Sequence, residues 1–479
     1  MPTNTGSHMP SGNDSPDETE RLSAEFLQSL VEHRVDRARD ILSGHPYVAT
    51  QSIHTAAAVA NPDAVARFLS TDPRLATARF GALGLQPIIL AADGRLPSIF
   101  GVSSSDRVRT AALLLDAGAD ANAFVTLGED PHARIPALYF ACVSNNADVA
   151  RLLLDRGANA NDGESVYHAA EHDHRECLDL LLQHGADISG RHAHWGNTPL
   201  YFLAGYAESS PNSASSVRGM RWLLEHGADP NVASDVGTGN DAKQGVAETP
   251  LHRIAALGRG VEVAQMLVAH GAAIDTPRGD GKTALALAAR SGNTAVAEFL
   301  ARCGARTDTL TTIDRLLAAS LAGDEATARA LCADAPGIMA SLNAEERQVL
   351  MALVERDDIA GVQLLLSLGW PLAAEGSWGG TPLHWAAWFG RVRMVQLLLA
   401  HASPVNLRDS QHGSSPIGWA CHGSTNARPG HDDDYSAIAG LLLDAGSSRA
   451  ESINEWGEPP ESMASAAVAA VLRERGFTA

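Results

Sequence analysis

The chain has 479 residues, of which 45% are hydrophobic and 19% charged, a balance that suits a folded protein with two or three domains or one elongated array. Its formal net charge of −20 repels phosphate backbones and anionic lipid, which argues against nucleic acid and membrane surfaces as partners. No apolar run approaches the roughly 20 residues a bilayer-spanning helix needs.

Residues 1–20 are polar, lack the basic start and apolar run of a signal peptide, and read as a disordered tail. From 21 to 51, Phe26, Leu27, Leu30, Val31, Ile41 and Leu42 recur at helical spacing and predict a helical N-terminal cap. The five cysteines (Cys142, Cys177, Cys303, Cys332, Cys421) share no CxxC spacing and sit in Ala/Leu-rich helical patterns, as buried, reduced thiols of a cytoplasmic protein would. Only Lys243 and Lys282 are lysines among 36 basic residues, a bias expected of a GC-rich bacterial genome.

A repeated unit then dominates the chain. It begins with the weak copy SIHTAAAVANPDAVARFLS at 52–70 and becomes plain at GNTPLYFLAG (from 196), AETPLHRIAALG (from 247), DGKTALALAARSG (from 280), GGTPLHWAAWFG (from 379) and GSSPIGWACHG (from 413). Thr249 to Thr283 is a step of 34 residues, and so is Thr381 to Ser415. A second apolar segment ending near a glycine follows each time, as in LLLDAGAD, LLLDRGAN, LLLQHGAD, LLEHGADP and LVAHGAAI. Between 309 and 372 the Thr-Pro-Leu-His box is missing, although LLAASLAGDEATARAL and ALVERDDIAGVQLLLSLG keep the two-helix rhythm. The box returns over 373–449, and 450–479 read as a closing helix centred on 459–477. Insertions rich in Gly, Ser, Asn and Asp fall at 93–107, 126–134, 208–218, 233–247 and 424–434.

One unit can be derived from Thr381 onward. Thr381 caps a helix that opens with Pro382, whose missing N–H costs nothing there. Leu383, Ala386 and Ala387 make a narrow apolar face, and Gly390 supplies the left-handed stop. Val395, Leu397, Leu398 and Leu399 form the buried face of a second helix, whose stop falls on Ala402 where a glycine is usual. So small a unit cannot bury its own apolar faces and must stack on its neighbours.

These residues resemble the ankyrin repeat, whose pattern G-x-T-P-L-H-x-A-A-x-x-G followed by L-L-L-x-x-G-A-D is met almost letter for letter at 380–390. The resemblance implies an all-α ankyrin-repeat solenoid of about ten or eleven helix-turn-helix units with β-hairpin fingers: repeats at 52–308, degenerate ones at 309–372, and repeats again at 373–449. It further implies that His252 and His384 bond within and between repeats. The residue after that histidine, and those after the Ala-Ala pair, face a groove and choose a partner. Carried over, the first row is Thr55, Leu90, Phe140, His168, Phe202, Arg253, Leu287, Trp385 and Trp419. The second includes Glu171, His172, Tyr206, Arg290, Trp388 and His422.

Trp385, Trp388 and Phe389, at i, i+3 and i+4, share one side of a helix. Trp419 follows one repeat on, roughly 8–10 Å away by ordinary helix packing. Trp195 and Trp378 precede the glycine of matching W-G-x-T fingers. The expected partner-binding residues are therefore Phe140, His168, His172, Phe202, Arg253, Trp378, Trp385, Trp388, Trp419 and His422. Trp385, Trp388, Trp419 and His422 form the expected centre, with Trp385 and Trp419 removable together without harm to the fold. The expected partner is a protein or peptide, and the acidic surface favours a basic one. The alternative is a small-molecule or catalytic site in the same C-terminal groove, roofed by 424–434. His168 and His172 at i, i+4 also match a chelating pair, and HDDDY at 431–435 a cation loop, but a polar patch and a solvated charge run explain them as well, so no metal or cofactor is assigned. No GxxxxGK[ST], HExxH or GxSxG stretch occurs, so no catalytic residue is assigned.

Overall fold

The computed structural model describes residues 16–32, 34–126, 133–235 and 246–477. Residues 1–15 of the expected tail and the insertion stretches 127–132 and 236–245 lie outside the described residues. The first helix opens at Pro16, inside the stretch expected to be disordered.

Two compact units divide the chain: Met1–Ile254 with Glu262–Ala273 and Pro277–Gly281, and Lys282–Ala479 with Ala255–Val261 and Ile274–Thr276. In the first unit, helices Pro16–Val31 and Val35–Gly44 pack together ahead of helix pairs that begin with Ile53–Ala58 and Pro62–Thr71. Pairs such as Ala137–Val143 with Ala147–Asp155 and Ser165–Glu171 with Arg175–Gln183 follow. In the second unit Ala284–Ser291 pairs with Thr294–Arg302, Pro382–Trp388 with Val392–Ala400, and Pro416–Asn426 with Asp432–Asp444. The buried core is repetitive: in the pair after Thr381 it is Leu383, Trp385, Ala386, Ala387, Met394, Val395 and Leu398. Leu397 and Leu399, expected to be buried, flank that face half-exposed, because the 3.6-residue period turns Met394 inward instead. Among the described residues a paired β-hairpin forms in one finger, Phe124–Thr126 with Arg134–Pro136. Other fingers are tighter turns: Phe80 and Leu85 exchange two backbone bonds of 2.9 Å, and the Gly376 N–H meets the Gly380 carbonyl at 2.9 Å.

The bond pattern of the full Thr-Pro-Leu-His box is visible at Thr381. Its backbone N–H (3.0 Å) and its hydroxyl (2.8 Å) both meet Nδ1 of His384, so that nitrogen accepts and the proton sits on Nε2. Nε2 then donates to the Ser414 carbonyl of the next finger at 3.1 Å. In the first unit Thr249 and His252 repeat the inner half, with the hydroxyl 2.7 Å from Nδ1. Burial depresses the His384 pKa to about 4, with the Ser414 bond opposing only in part.

In 309–372 the same cap positions carry carboxylates. Thr311 and Asp314 form one capping box and Asn343 and Glu346 another, so the third helical residue is acidic where His384 is basic. The charge is met by Arg290, whose guanidinium bonds Asp314 and lies 2.8 Å from Glu346. Arg290 was expected in the groove-facing row; it is 87% withdrawn from solvent, and both carboxylates are buried. Thr55 also leaves that row. It is fully buried and closes a capping box with Ser52, its N–H 3.1 Å from the Ser52 hydroxyl, and the next residue, Ala56, is buried as well.

Insertions lengthen helices. Residues 208–218 feed the helix Ser213–Glu225, and 424–434 extend Pro416–Asn426 and Asp432–Asp444. Asp432, Asp433 and Asp434 thus occupy a first helical turn, where they oppose the helix dipole, and do not form a cation loop. Cys142, Cys177 and Cys421 are buried, whereas Cys303 is exposed because it falls on the C-cap of its helix. Gly390 takes the left-handed φ of +67° as the pattern requires, and Ala402 takes +60° without being glycine.

Three stability outcomes follow from these contacts. Ala402→Gly should raise the unfolding free energy by about 1 kcal/mol, since only glycine adopts that φ without Cβ crowding; no gain in denaturant midpoint would contradict it. Arg290→Met should cost about 3–5 kcal/mol by leaving two buried carboxylates unpaired, with Arg290→Lys recovering only part, both read by chemical denaturation. Folding depresses the His384 pKa from 6.5 to about 4, so its contribution is whole above pH 6.5 and is lost as pH falls toward 4. The stability gap between wild type and His384→Gln should therefore narrow by on the order of 3 kcal/mol between pH 7 and 4; a pH-independent gap would show that this imidazole is not held neutral.

Candidate functional site

The C-terminal repeats place four of the chain's eight tryptophans around one half-open cavity of about 720 Å³. Trp388 reaches it from the end of helix Pro382–Trp388, and Trp419 and His422 from helix Pro416–Asn426. Trp378 stands on a finger tip, and His412 and Ser414 come from the next finger. Asn454, Trp456, Glu458 and Met463 supply the outer wall.

The rings meet mostly at steep angles. Trp388 and Trp419 are 6.1 Å apart at 74°, Trp388 and His422 5.3 Å at 71°, and His412 and Trp419 6.4 Å at 69°. Behind this box a stacked series runs from Trp378 to Trp385 (5.7 Å, 24°) and on to Phe389 (5.4 Å, 28°). Trp378 pays for its place: its φ of +57° and ψ of +20° are left-handed, which costs about 1–3 kcal/mol in a bulky residue. Even so its ring is 52% exposed.

Asp409 anchors the floor. It accepts the Trp419 indole N–H at 2.9 Å and the backbone N–H groups of Gln411, His412 and Ser414. Burial pushes its carboxyl up, but these bonds outweigh burial and hold it below the usual range. At 418 the third helical residue is glycine where His384 stands one repeat earlier. A Cβ there would lie 2.2 Å from the Ser414 hydroxyl, which fills that room and is itself buried without a hydrogen-bond partner.

Trp378, Trp388, Trp419 and His422 are thus brought together as site residues. Trp385 is not among the cavity walls. It is 7% exposed and Trp419 6%, each packed edge-on against the other at 5.4 Å. The expectation that both can be removed without harm to the fold is therefore corrected: the alanine-rich face of the first helices leaves room that these rings fill, and they belong to the core. Nor do residues 424–434 roof the cavity; only Thr425 and Asn426, on the extended helix, reach its edge.

The remaining expected residues lie in the first unit. Phe140, His168 and Phe202 are half-buried in an aromatic series in which Tyr139 touches Phe140 (5.3 Å) and His168 (5.1 Å), and His168 touches Phe202 (5.5 Å). His168 is bonded on both nitrogens, to Glu171 at 2.7 Å and toward Glu164 at 3.4 Å. Burial lowers its pKa, but the two carboxylates prevail and lift it to about 9, so it is a cation at neutral pH with no lone pair for a metal. Burial likewise opposes ionisation of Glu171, yet His168, Tyr206 and Asn212 hold it at about 2. His172 turns away and stacks on His174 at 5.4 Å. Arg253 lies 4.7 Å over the Tyr201 ring and donates to the Tyr201 hydroxyl at 2.8 Å, so its guanidinium is engaged within the protein.

Trp456, Glu458 and Met463 were missed because 450–479 read as one capping helix. The segment instead holds the turn Ala450–Ser452 and the short helices Pro460–Met463 and Ala466–Glu474. A signal was present: Trp456-Gly457 repeats the Trp-Gly of 195–196 and 378–379. The Asn454 N–H bonds the Glu458 carbonyl at 3.1 Å as Gly376 bonds Gly380, so 454–458 is another finger.

Comparisons with known proteins agree with this architecture. The sequence profile of ankyrin repeats matches three times, at residues 100–192, 213–311 and 316–427, which together exceed half of the chain. The 2-5A-dependent ribonuclease of Mus musculus is 39% identical over 74 residues, 15% of this chain; the chain spans 10% of that relative's length. The human ASB11 ankyrin repeat domain is similar over 53% of this chain and 98% of its own, with 26% identity and a TM-score of 0.39. With repeats matched over most of its length, the chain belongs to the ankyrin-repeat family.

Proposed function

We propose that this protein is a protein- or peptide-binding scaffold whose main anchor is the C-terminal aromatic cavity. Ankyrin repeats serve generally as protein–protein interaction scaffolds. The observation that carries the finer reading is the exposure of large aromatics on rigid supports: Trp378 is 52% and Trp456 64% exposed, beside the half-buried Trp388. Tryptophan gives much contact area at little entropy cost and is enriched where binding energy concentrates. A groove built on packed helices is preformed, so docking orders little of the protein itself. The net charge of −20 favours a basic segment as the partner. The aromatic series of Phe140, His168 and Phe202 in the first unit is a second contact surface in this reading.

A small-molecule ligand is the alternative, favoured by one observation. A volume of about 720 Å³, walled by aromatics with a few polar groups, is the size of ordinary ligand pockets.

The test is affinity capture with the wild type beside Trp378→Ala/Trp456→Ala, followed by titration of any retained protein. Both rings are exposed, so the variant should keep its unfolding midpoint while losing ~2–4 kcal/mol of binding. Equal affinity of the two forms would remove the cavity from the interface. By contrast Trp385→Ala/Trp419→Ala should unfold readily, because truncating each buried indole costs about 3–5 kcal/mol.

A further inference from the structure

We infer that the aromatic cavity takes a quaternary ammonium head group, whether carried by a small metabolite or by a methylated amino group on a partner. The inference rests on the proposed binding role of this cavity and names the chemistry it selects.

Shape is the first argument. A flat ligand wants two parallel rings with a slot between them, whereas a roughly spherical cation is best met by ring faces at right angles. Trp388 stands at 74° to Trp419, and His422 at 71° to Trp388. The parallel pair of this region, Trp378 on Trp385, is already closed on itself at 5.7 Å. Charge is the second. Among the described residues the lining contains neither lysine nor arginine, although the chain has 36 basic residues, and so offers an anion no fixed countercharge. The Glu458 carboxylate stands at the outer wall, steadied by the Asn454 amide at 2.9 Å.

The third argument is electronic. The Trp419 indole N–H donates to Asp409 at 2.9 Å, and a carboxylate bound to that edge enriches the ring face that a cation meets. An ordinary ammonium would ask for several hydrogen-bond acceptors. Polar side chains such as Ser414, Thr425, Asn426 and Ser462 share the lining, but the indole faces of Trp388, Trp419 and Trp456 present no hydrogen-bond acceptor to an ordinary ammonium. Methylation removes that demand, spreads the charge over apolar surface, and suits a box whose floor is Trp419 and whose side includes Met463. Ring faces attract such a group strongly only when desolvated, and a half-enclosed cavity supplies that condition.

The experiment uses the full chain with choline, its neutral carbon isostere 3,3-dimethylbutanol, and a short neutral peptide bearing one Nε-trimethyllysine. Binding is followed by calorimetry and tryptophan fluorescence. Choline or the peptide should bind saturably and at least tenfold tighter than the isostere, and Trp456→Ala and Glu458→Gln should each weaken this without moving the unfolding midpoint. Choline bound as tightly as the peptide assigns a free small molecule, and the peptide alone assigns a modified protein. Isostere binding equal to both, or no saturable binding by either cation, overturns the inference. Should partner capture still depend on Trp378 and Trp456 in that case, the scaffold reading stands and only the head-group chemistry fails.

Discussion

The neutral imidazole of His384 carries two kinds of contact at once, and the second unit depends on that combination. Its Nδ1 accepts from Thr381 at the start of the helix that Thr381 caps, and its Nε2–H reaches the finger of the following repeat. Local capping and inter-repeat pairing are thereby one event: a helix that frays at Thr381 also lets go of Ser414. A two-helix unit buries too little surface to stand alone, so this coupling between neighbours turns a series of weak modules into a cooperative stack. Burial makes the device conditional on the proton, since only the Nε2–H tautomer serves both bonds.

Much of this was legible in the sequence because it depends on residue type at fixed spacing. Thr381, Pro382, His384 and Gly390 each have a backbone role that few other residues fill, so the letters predict the geometry. Side-chain burial is less legible. Trp385 and Trp388 lie three residues apart on one helix, yet the first is core and the second half-exposed, because Trp378, Phe389 and Trp419 all close on Trp385 while Trp388 faces the cavity beside Trp419 and His422. A single repeat does not contain that information. The same limit applies to His168, whose charge is decided by Glu164 and Glu171 together, and to Arg253, which is taken up by Tyr201. Thr55 was misplaced for a simpler reason: its repeat begins at Ser52, one residue later than the histidine suggested, and a one-residue shift on a helix exchanges groove for core.

The aromatic cavity is an outcome of variation within a constant frame. Where one repeat has His384, the next has Gly418, and the Ser414 hydroxyl moves into the vacated space. The finger at 454–458 then faces the first helix of that repeat with Trp456 in place of the usual small turn residues. The change at 418 removes the capping box, since Ser415 makes no side-chain cap bond and its hydroxyl pairs with Ser452 instead, and the stack keeps its helix there all the same. In the proposed binding role, affinity can be tuned at Trp378, Trp456 and Glu458 while the structural load falls on Trp385, Trp419 and Asp409.

Arg290 has a different consequence. Most contacts in such an array join a repeat to its immediate neighbour, so a copy can be duplicated or deleted with only two junctions to mend. The Arg290 guanidinium instead ties its own helix to Asp314 in the next repeat and to Glu346 in the one after. Removing or doubling a unit between them would strand a buried carboxylate. The stretch from 283 to 346 is therefore fixed in copy number by electrostatics, and can drift from the family's letters while keeping its length.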